Sequence, residues 1–236
     1  MNDYIKNYLK IHQDWIINKE YNRLYDGIYQ NDRKDLSEVL IKAGINFLPH
    51  LKDTIPAGCF SNNKQLTHII IPPNINDIKR RAFDSSSIQS IQLPPLDYLG
   101  AHCFDGCKDL KSISIQGDID TIPSYCFYNC TSLETVTLSY RIIDIKNNAF
   151  ENCINLKHID LPDTILFIGQ RAFAGSGLES IRIPSTIMGV GNYVFRNCEE
   201  LKEVIYDGTE EDLVDTCNDI NSMFDNINKI KFTFLK

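Results

Sequence analysis

Residues 142–162 read IIDIKNNAFENCINLKHIDLP, and they decide the fold because the same pattern recurs along the chain. Its centre is the pair Ala149-Phe150, and a phenylalanine in the same setting returns every 21 to 23 residues. These marker phenylalanines are Phe60, Phe83, Phe104, Phe127, Phe150, Phe173 and Phe195. A fixed period of this length is typical of solenoids, in which each repeat supplies one supersecondary unit.

Further apolar columns keep the same period when the chain is aligned on the marker phenylalanines. An aliphatic residue stands five positions before each marker, at Ile55, Ile78, Leu99, Ile122, Ile145, Ile168 and Val190. A leucine or isoleucine follows each marker by five or six positions, at Leu66, Ile88, Leu110, Leu133, Leu156, Leu178 and Leu201. Together these columns predict a shared interior, because a single unit cannot bury its own apolar side.

The segment that follows each of these leucines or isoleucines reads as a short strand. Residues 133–138 (LETVTL) and 156–161 (LKHIDL) alternate apolar and polar residues, as a half-buried strand requires. Pro72, Pro94, Pro162 and Pro184 follow four of these strands, where a missing backbone donor is tolerated. Stacked units would align the strands about 4.8 Å apart. We therefore predict an α/β repeat solenoid of about seven coils with a parallel β-sheet on its concave face.

The repeating unit resembles the consensus of the BspA-like leucine-rich repeats, also called the Treponema pallidum type. Residues 142–162 are its clearest copy, and the resemblance covers about residues 51–206. It implies a curved solenoid with strands on one face, short helical turns at the Ala-Phe segments, and a role in ligand binding or adhesion. It supplies no catalytic residue to transfer.

The two ends of the chain lack the repeat and are expected to cap the solenoid. Residues 1–50 form the predicted helical N-terminal cap, where Trp15 and several tyrosines recur at helical spacing. Residues 51–206 are the leucine-rich repeat solenoid, and residues 207–236 the C-terminal cap. In this last segment Thr209 begins a predicted helix that runs to about Phe224, and a closing strand follows at residues 230–234.

Eight cysteines raise the question of a metal site. The spacing of Cys103, Cys107, Cys126 and Cys130 beside His102 resembles a zinc site. However, these residues also fall into two repeat columns, one residue before and three residues after the marker phenylalanine. We interpret them as structural thiols in the core and predict no metal and no cofactor. A disulfide remains an alternative, since stacked columns bring Cα atoms close enough for one.

No pattern typical of an active site stands out. The sequence lacks a nucleophile elbow, a phosphate-binding loop and an H-E-x-x-H motif. His158 and Asp160 share a strand next to Ser180, but such polar neighbours are expected by chance on a solvated sheet. We predict that the protein is not an enzyme. Turnover that depends on His158 or Asp160 would support the opposite view.

The outward side chains of the strands are the predicted partner-binding surface. Strand parity points one residue on each side of the inward aliphatic toward solvent. The middle strands then show small hydroxylated side chains, and the later strands show charged ones. The candidate binding residues are Thr135, Thr137, His158, Asp160, Ser180, Arg182, Glu203 and Ile205.

Composition and charge restrict the kind of partner. The net charge is −7, and the only basic run is Lys79-Arg80-Arg81, so we predict no nucleic-acid binding. No stretch approaches the 18 apolar residues of a membrane span, and we predict no membrane insertion. The first residues show no secretory signal, which favours a cytoplasmic location over a secreted or surface one. The sequence leaves the oligomeric state open.

These observations favour a non-catalytic module that binds a protein partner inside the cell. A phage or pathogen inhibitor or effector is a specific form of this hypothesis, suggested by the short, doubly capped layout. The alternative is a surface or secreted adhesin that binds host protein or glycan, which the family resemblance suggests.

Overall fold

The structure is a computed structural model and describes residues 53–71, 73–217, 220–224 and 229–235. The predicted helical N-terminal cap, residues 1–50 with Trp15, lies outside the described residues. The predicted repeats are present as seven stacked coils, each with a short strand, a turn at the marker phenylalanine and a longer extended segment. The predicted solenoid is therefore confirmed.

Within the residues that the structure describes, fourteen strands and one α-helix make up the regular structure. The strands are β1 (Thr54–Ile55), β2 (His68–Ile70), β3 (Asp77–Ile78), β4 (Ser90–Gln92), β5 (Tyr98–Leu99), β6 (Ser112–Ser114), β7 (Thr121–Ile122), β8 (Thr135–Thr137), β9 (Asp144–Ile145), β10 (Phe167–Ile168), β11 (Ser180–Ile183), β12 (Gly189–Val190), β13 (Glu203–Tyr206) and β14 (Lys231–Phe234). Helix α1 spans Glu210–Cys217, and a 3₁₀ turn follows at Ile220–Met223.

All strand pairs are parallel, and they form two sides of the solenoid. The longer strands pair in the orders β2-β4-β6-β8 and β11-β13-β14. The two-residue strands pair in the orders β1-β3-β5 and β7-β9-β10-β12. This second set, five to six residues before each marker, is a side of the solenoid that the sequence analysis did not assign to strands. It forms because the column five residues before each marker must point inward.

The marker phenylalanines form one continuous stack through the core. Neighbouring ring centroids are 5.1 to 5.9 Å apart, and the rings are within 13° of parallel. All seven side chains are buried. Each ring therefore covers the ring of the next coil, and no coil could bury its phenylalanine alone.

Each coil turns around its marker with two residues in the left-handed backbone region. The first left-handed position lies two residues before the marker, and the second lies two residues after it. The second position holds residues that tolerate positive φ, mostly asparagine or glycine. The markers thus lie in turns closed by local bonds such as that from Asn63 N to Phe60 O, and bonds such as that from Phe60 N to Ala82 O join each turn to the next coil.

One predicted strand does not form. Residues 157–161 keep the predicted alternation of exposed and buried side chains, but they make no strand ladder with β8 or β11. A single backbone bond, from Glu179 N to Lys157 O, is recorded on this segment. The sheet of longer strands is therefore divided into a four-stranded and a three-stranded part, and no side chain of this coil explains the division.

The C-terminal segment differs from its prediction in the length of its helix. Thr209 caps α1 as expected: its Oγ1 accepts a bond from Asp212 N, and Asp212 Oδ2 accepts one from Thr209 N. The helix ends at Cys217, however, and not near Phe224. The 3₁₀ turn that follows takes the path of an eighth coil, because Ser222 and Met223 carbonyls accept bonds from Tyr193 N and Phe195 N.

The predicted closing strand is confirmed as β14. It pairs in parallel with β13, so that Glu203 lies opposite Lys231 and Tyr206 opposite Phe234.

Among the described residues, no helix has the length and apolar character needed to cross a bilayer.

Candidate functional site

The main-sheet face consists of the outward side chains of the longer strands together with His158 and Asp160. In β2, β4, β6 and β8 the middle residue is buried and its two neighbours are exposed, as strand parity predicts. His158, Asp160 and Arg182 are exposed too, while Ser180, Glu203 and Ile205 are partly buried. All eight candidate residues therefore lie on one continuous side of the solenoid.

The middle of the main-sheet face carries small hydroxylated side chains in register. Ser112 lies opposite Thr135, and Ser114 lies opposite Thr137. These four side chains are exposed. Because they are short, a partner could approach the strand backbone more closely here than at the charged end of the face.

His158 and Asp160 form a pair on the exposed surface. The distance from Nε2 of His158 to Oδ1 of Asp160 is 2.8 Å, and both side chains are mostly solvated. Ser180 lies on the neighbouring strand and would be the nucleophile if this pair were catalytic. Within the described part of the chain, His158 is hydrogen-bonded to Asp160 and not to Ser180. A nucleophile is activated by a base within hydrogen-bonding reach, and this geometry does not supply that contact.

Arg182 is held by two aspartates that the sequence analysis did not identify. Its Nε donates to Asp207 Oδ1 over 3.0 Å, and its Nη1 donates to Asp163 Oδ1 over 2.8 Å. A further bond from Nη2 to Asp207 makes that contact bidentate. These carboxylates, Asp163 first, raise the pKa of Arg182. The guanidinium is therefore fixed in orientation and largely neutralised for an approaching partner.

Glu203 is paired with the closing strand. Its Oε1 accepts bonds from Lys231 Nζ at 2.6 Å and from Thr233 Oγ1 at 2.7 Å. The bond from Lys231 is the main reason why the pKa of Glu203 is lowered. β14 thus adds an eighth row, Lys231 and Thr233, to the main-sheet face. The alternation in residues 230–234 was visible in the sequence, but its pairing with β13 was not.

A row of alternating charge borders the main-sheet face. In coils three to seven its members stand one residue after the leucine that follows the marker by five or six positions, and all are exposed: Lys111, Glu134, Lys157, Glu179 and Lys202. The Nζ of Lys157 lies 3.1 Å from Oε1 of Glu179, and this contact lowers the pKa of Glu179. The alternation places opposite charges on neighbouring coils, which favours their stacking and limits repulsion along the row.

The cysteines lie in the core as the repeat columns predict. All but Cys198 are buried, and none forms a disulfide. In the column three residues after the marker, each Sγ donates to the carbonyl oxygen of the marker one coil earlier. The Sγ–O distances are 3.0 Å for Cys107, 3.0 Å for Cys130, 3.2 Å for Cys153 and 3.1 Å for Cys198.

Each thiol therefore adds a second hydrogen bond to a core carbonyl that already accepts a backbone N–H bond from its own turn, a role that the sequence analysis did not foresee. Ser86 and Ser176 occupy the same column, and each hydroxyl contacts a cysteine of the next coil. Burial raises the pKa of Cys107 to about 12. Across the described ranges, no three His, Cys, Asp or Glu side chains are placed to share a metal ion.

Comparison with known proteins identifies related sequences and structures. The family model described as BspA type Leucine rich repeat region matches residues 43–139 and 120–234 and finds six copies. A leucine-rich repeat protein from Bacteroides ovatus superposes with a TM-score of 0.65 at 26% identity, over 78% of this chain and 46% of its own. This chain thus spans less than half the length of that relative.

Two further solved structures are similar over part of the chain. The T. pallidum leucine-rich repeat protein has a TM-score of 0.48 at 24% identity and covers 59% of this chain and 58% of its own. A leucine-rich cell surface protein from Faecalibacterium prausnitzii has a TM-score of 0.47 at 20% identity, with 80% and 59% covered. No curated protein matches the chain.

Proposed function

The chain belongs to the BspA-type leucine-rich repeat family, and from this premise we propose that it is a non-catalytic module that binds a protein through its main-sheet face. Leucine-rich repeat proteins are generally protein-interaction modules. The proposed contact residues are Thr135, Thr137, His158, Asp160, Ser180, Arg182, Glu203 and Ile205.

The observation that supports this proposal most directly is the rigid order of the exposed rows. Backbone ladders fix Ser112 opposite Thr135, and ion pairs fix Arg182 and Glu203. A surface ordered before contact loses little conformational entropy on binding. The short hydroxylated rows would receive the close approach of a partner backbone, and the charged rows would select its orientation.

We place the partner inside the cell. Four thiols support this location, since each donates a hydrogen bond to a core carbonyl and only the reduced form of cysteine can do so. Disulfides form preferentially in oxidising compartments. An inhibitor or effector from a phage or pathogen, acting on one host protein, is the specific form of this proposal.

The experiment is affinity capture from lysate of the source cells, with quantitative mass spectrometry. The test variant is Thr135→Arg with Thr137→Arg, which fills the hydroxylated rows without altering a buried residue. The matched control is Ile154→Arg, at an exposed position 57% accessible in the turn region of the fifth coil. A protein retained by wild type and control but lost from the double variant supports the proposal. Retention of the same proteins by all three rejects the main-sheet face as the binding surface.

A surface or secreted adhesin for host protein or glycan is the second candidate, and the family membership favours it. It is distinguished by fractionation of the source organism with an antibody against this chain. Detection on intact, unpermeabilised cells or in the medium would support the adhesin. Detection only after lysis would support the intracellular module.

A further inference from the structure

In three coils the turn at the marker carries a donor side chain and a carboxylate that contact each other. The first member is at the first left-handed position, and the second follows three residues later, directly after the marker. In the second coil, Nη1 of Arg81 lies 3.3 Å from Oδ2 of Asp84. In the third, Nδ1 of His102 lies 2.9 Å from Oδ2 of Asp105. Donor and carboxylate thus lie within the same turn.

The fifth coil repeats the arrangement with a neutral donor. There, the side-chain amide of Asn148 donates to the carboxylate of Glu151. Three of the coils therefore supply their own carboxylate to the donor at the first left-handed position. A coil that has the donor but lacks the carboxylate can therefore be compared with these three.

The sixth coil has the donor without the carboxylate. Arg171 occupies the first left-handed position, with φ of 56°, but the residue three positions later is Ala174. Within residues 53–71, 73–217, 220–224 and 229–235, no carboxylate lies within ion-pair distance of Arg171. Its Nε is buried and has no hydrogen-bond acceptor. The hydrogen-bonding capacity of this guanidinium is therefore not fully used within the fold.

An exposed tyrosine completes the arrangement from the seventh coil. The guanidinium carbon of Arg171 is 5.9 Å from the ring centroid of Tyr193, and that of Arg196 is 5.4 Å from it. Tyr193 is 39% accessible. Arginine and tyrosine are the residue types that contribute most to protein–protein binding energy, and a cation over an aromatic ring is held in orientation.

We propose that Arg171 and Tyr193 form a docking patch for an acidic segment of a protein partner. An aspartate or glutamate of that segment would give Arg171 the carboxylate that Asp84 gives to Arg81. This patch is on the turn side of the solenoid, apart from the main-sheet face, and does not depend on the function proposed for that face.

The probe is a terminally blocked, fluorescent hexaglutamate peptide, whose binding is followed by anisotropy. Because the protein has a net charge of −7, the overall charge repels this peptide, and binding requires a local cationic contact. Arg171→Gln is expected to weaken binding about tenfold, the effect of losing one charge-assisted contact.

Arg141→Gln is the matched control. Arg141 also lies beside a tyrosine ring, at 5.7 Å from Tyr140, but it already has a carboxylate in Asp118 at 3.1 Å. Its replacement removes the same charge from the protein and is expected to leave peptide binding within about twofold of wild type.

Ala174→Asp tests the proposal in the opposite direction. It restores the arrangement of the second coil, so that an internal carboxylate occupies Arg171 and competes with the peptide. Loss of peptide binding in a variant whose circular dichroism matches wild type supports the proposal. If this variant does not fold, Arg171→Gln decides alone. The proposal is overturned if wild type does not bind hexaglutamate, or if Arg171→Gln binds it as wild type does.

Discussion

The ring of Phe224 stacks on the ring of Phe195, with centroids 5.4 Å apart and an angle of 20° between the planes. Phe224 follows the 3₁₀ turn of the C-terminal segment and is not part of any repeat. It nevertheless occupies the place of an eighth marker phenylalanine and covers the last ring of the stack. Phe232 of β14 in turn meets Phe224 edge-on, at 5.8 Å.

Replacement of Phe224 by alanine is expected to destabilise the protein strongly. The substitution removes a side chain that is 5% exposed and uncovers the ring of Phe195. The free energy of unfolding should fall by about 3–5 kcal/mol, as is typical of buried phenylalanine. Urea denaturation followed by circular dichroism measures this change.

Phe167→Ala is the control for that measurement. Phe167 lies on β10 and is 43% accessible, so its loss should cost about 1 kcal/mol or less. Equal losses in the two variants would show that Phe224 does not act as the end of the stack.

The cysteine column predicts different outcomes for two small substitutions. Cys153 donates to the carbonyl of Phe127, and serine occupies the same column at Ser86 and Ser176. Cys153→Ser keeps a second donor to this carbonyl, whereas Cys153→Ala leaves it with only the backbone bond from Cys130 N, at a cost of about 0.5–1.5 kcal/mol. We therefore expect the serine variant to unfold at higher urea concentration. The reverse order would mean that packing of the thiol, and not its hydrogen bond, determines this column.

Burial of the thiols predicts loss of stability at alkaline pH. In the folded protein the pKa of Cys107 is raised from 9.0 to about 12, mainly by desolvation. The stabilising effect is complete below pH 9 and is lost as pH rises from 9 toward 12, because only the unfolded chain releases the proton there. One such thiol adds a slope of about −1.4 kcal/mol per pH unit to the free energy of unfolding.

Cys107→Ser isolates this contribution, since serine does not titrate in that range. The difference between wild type and variant should be constant below pH 8 and should shrink from pH 9 upward. Chemical denaturation at a series of pH values measures it, and parallel curves through pH 10.5 would contradict the assignment.

Two glycines distinguish a backbone clash from a side-chain contact. A Cβ on Gly177 would lie 2.1 Å from the carbonyl oxygen of Ile154 in the preceding coil. A Cβ on Gly189 would meet only the ring of Phe167, at 3.2 Å. Gly177→Ala should therefore push two coils apart and lower the free energy of unfolding by about 1–3 kcal/mol or more, as is typical of overpacking. Gly189→Ala should lower it clearly less. Thermal unfolding compares them, and a Gly177→Ala melting temperature at or above that of Gly189→Ala would refute the clash.

The repeat made much of the core predictable before any coordinates. Phe150, Ile145 and Leu156 recur at a fixed spacing, and residues at the same place in each coil must meet when the coils stack. Strand parity likewise predicted that Thr135 and Thr137 point outward. These results depend on local geometry and period alone, so the linear sequence contains them.

Side-chain contacts between residues of different coils were not predictable in the same way. Arg182 meets Asp163 and Asp207, 19 and 25 residues away, because register and side-chain length happen to bring them together. The same holds for the thiol of Cys153 and the carbonyl of Phe127. No periodic pattern specifies such a pairing.

The sequence alone determined the period, the buried columns and the outward side of each longer strand, because these follow from repetition and strand geometry. Only the tertiary structure decided that helix α1 stops at Cys217 so that Phe224 can close the stack, and that β14 adds an eighth row beside Glu203. Both depend on how the last coil exposes its ring and its strand edge, and those surfaces exist only after the coils before them have stacked.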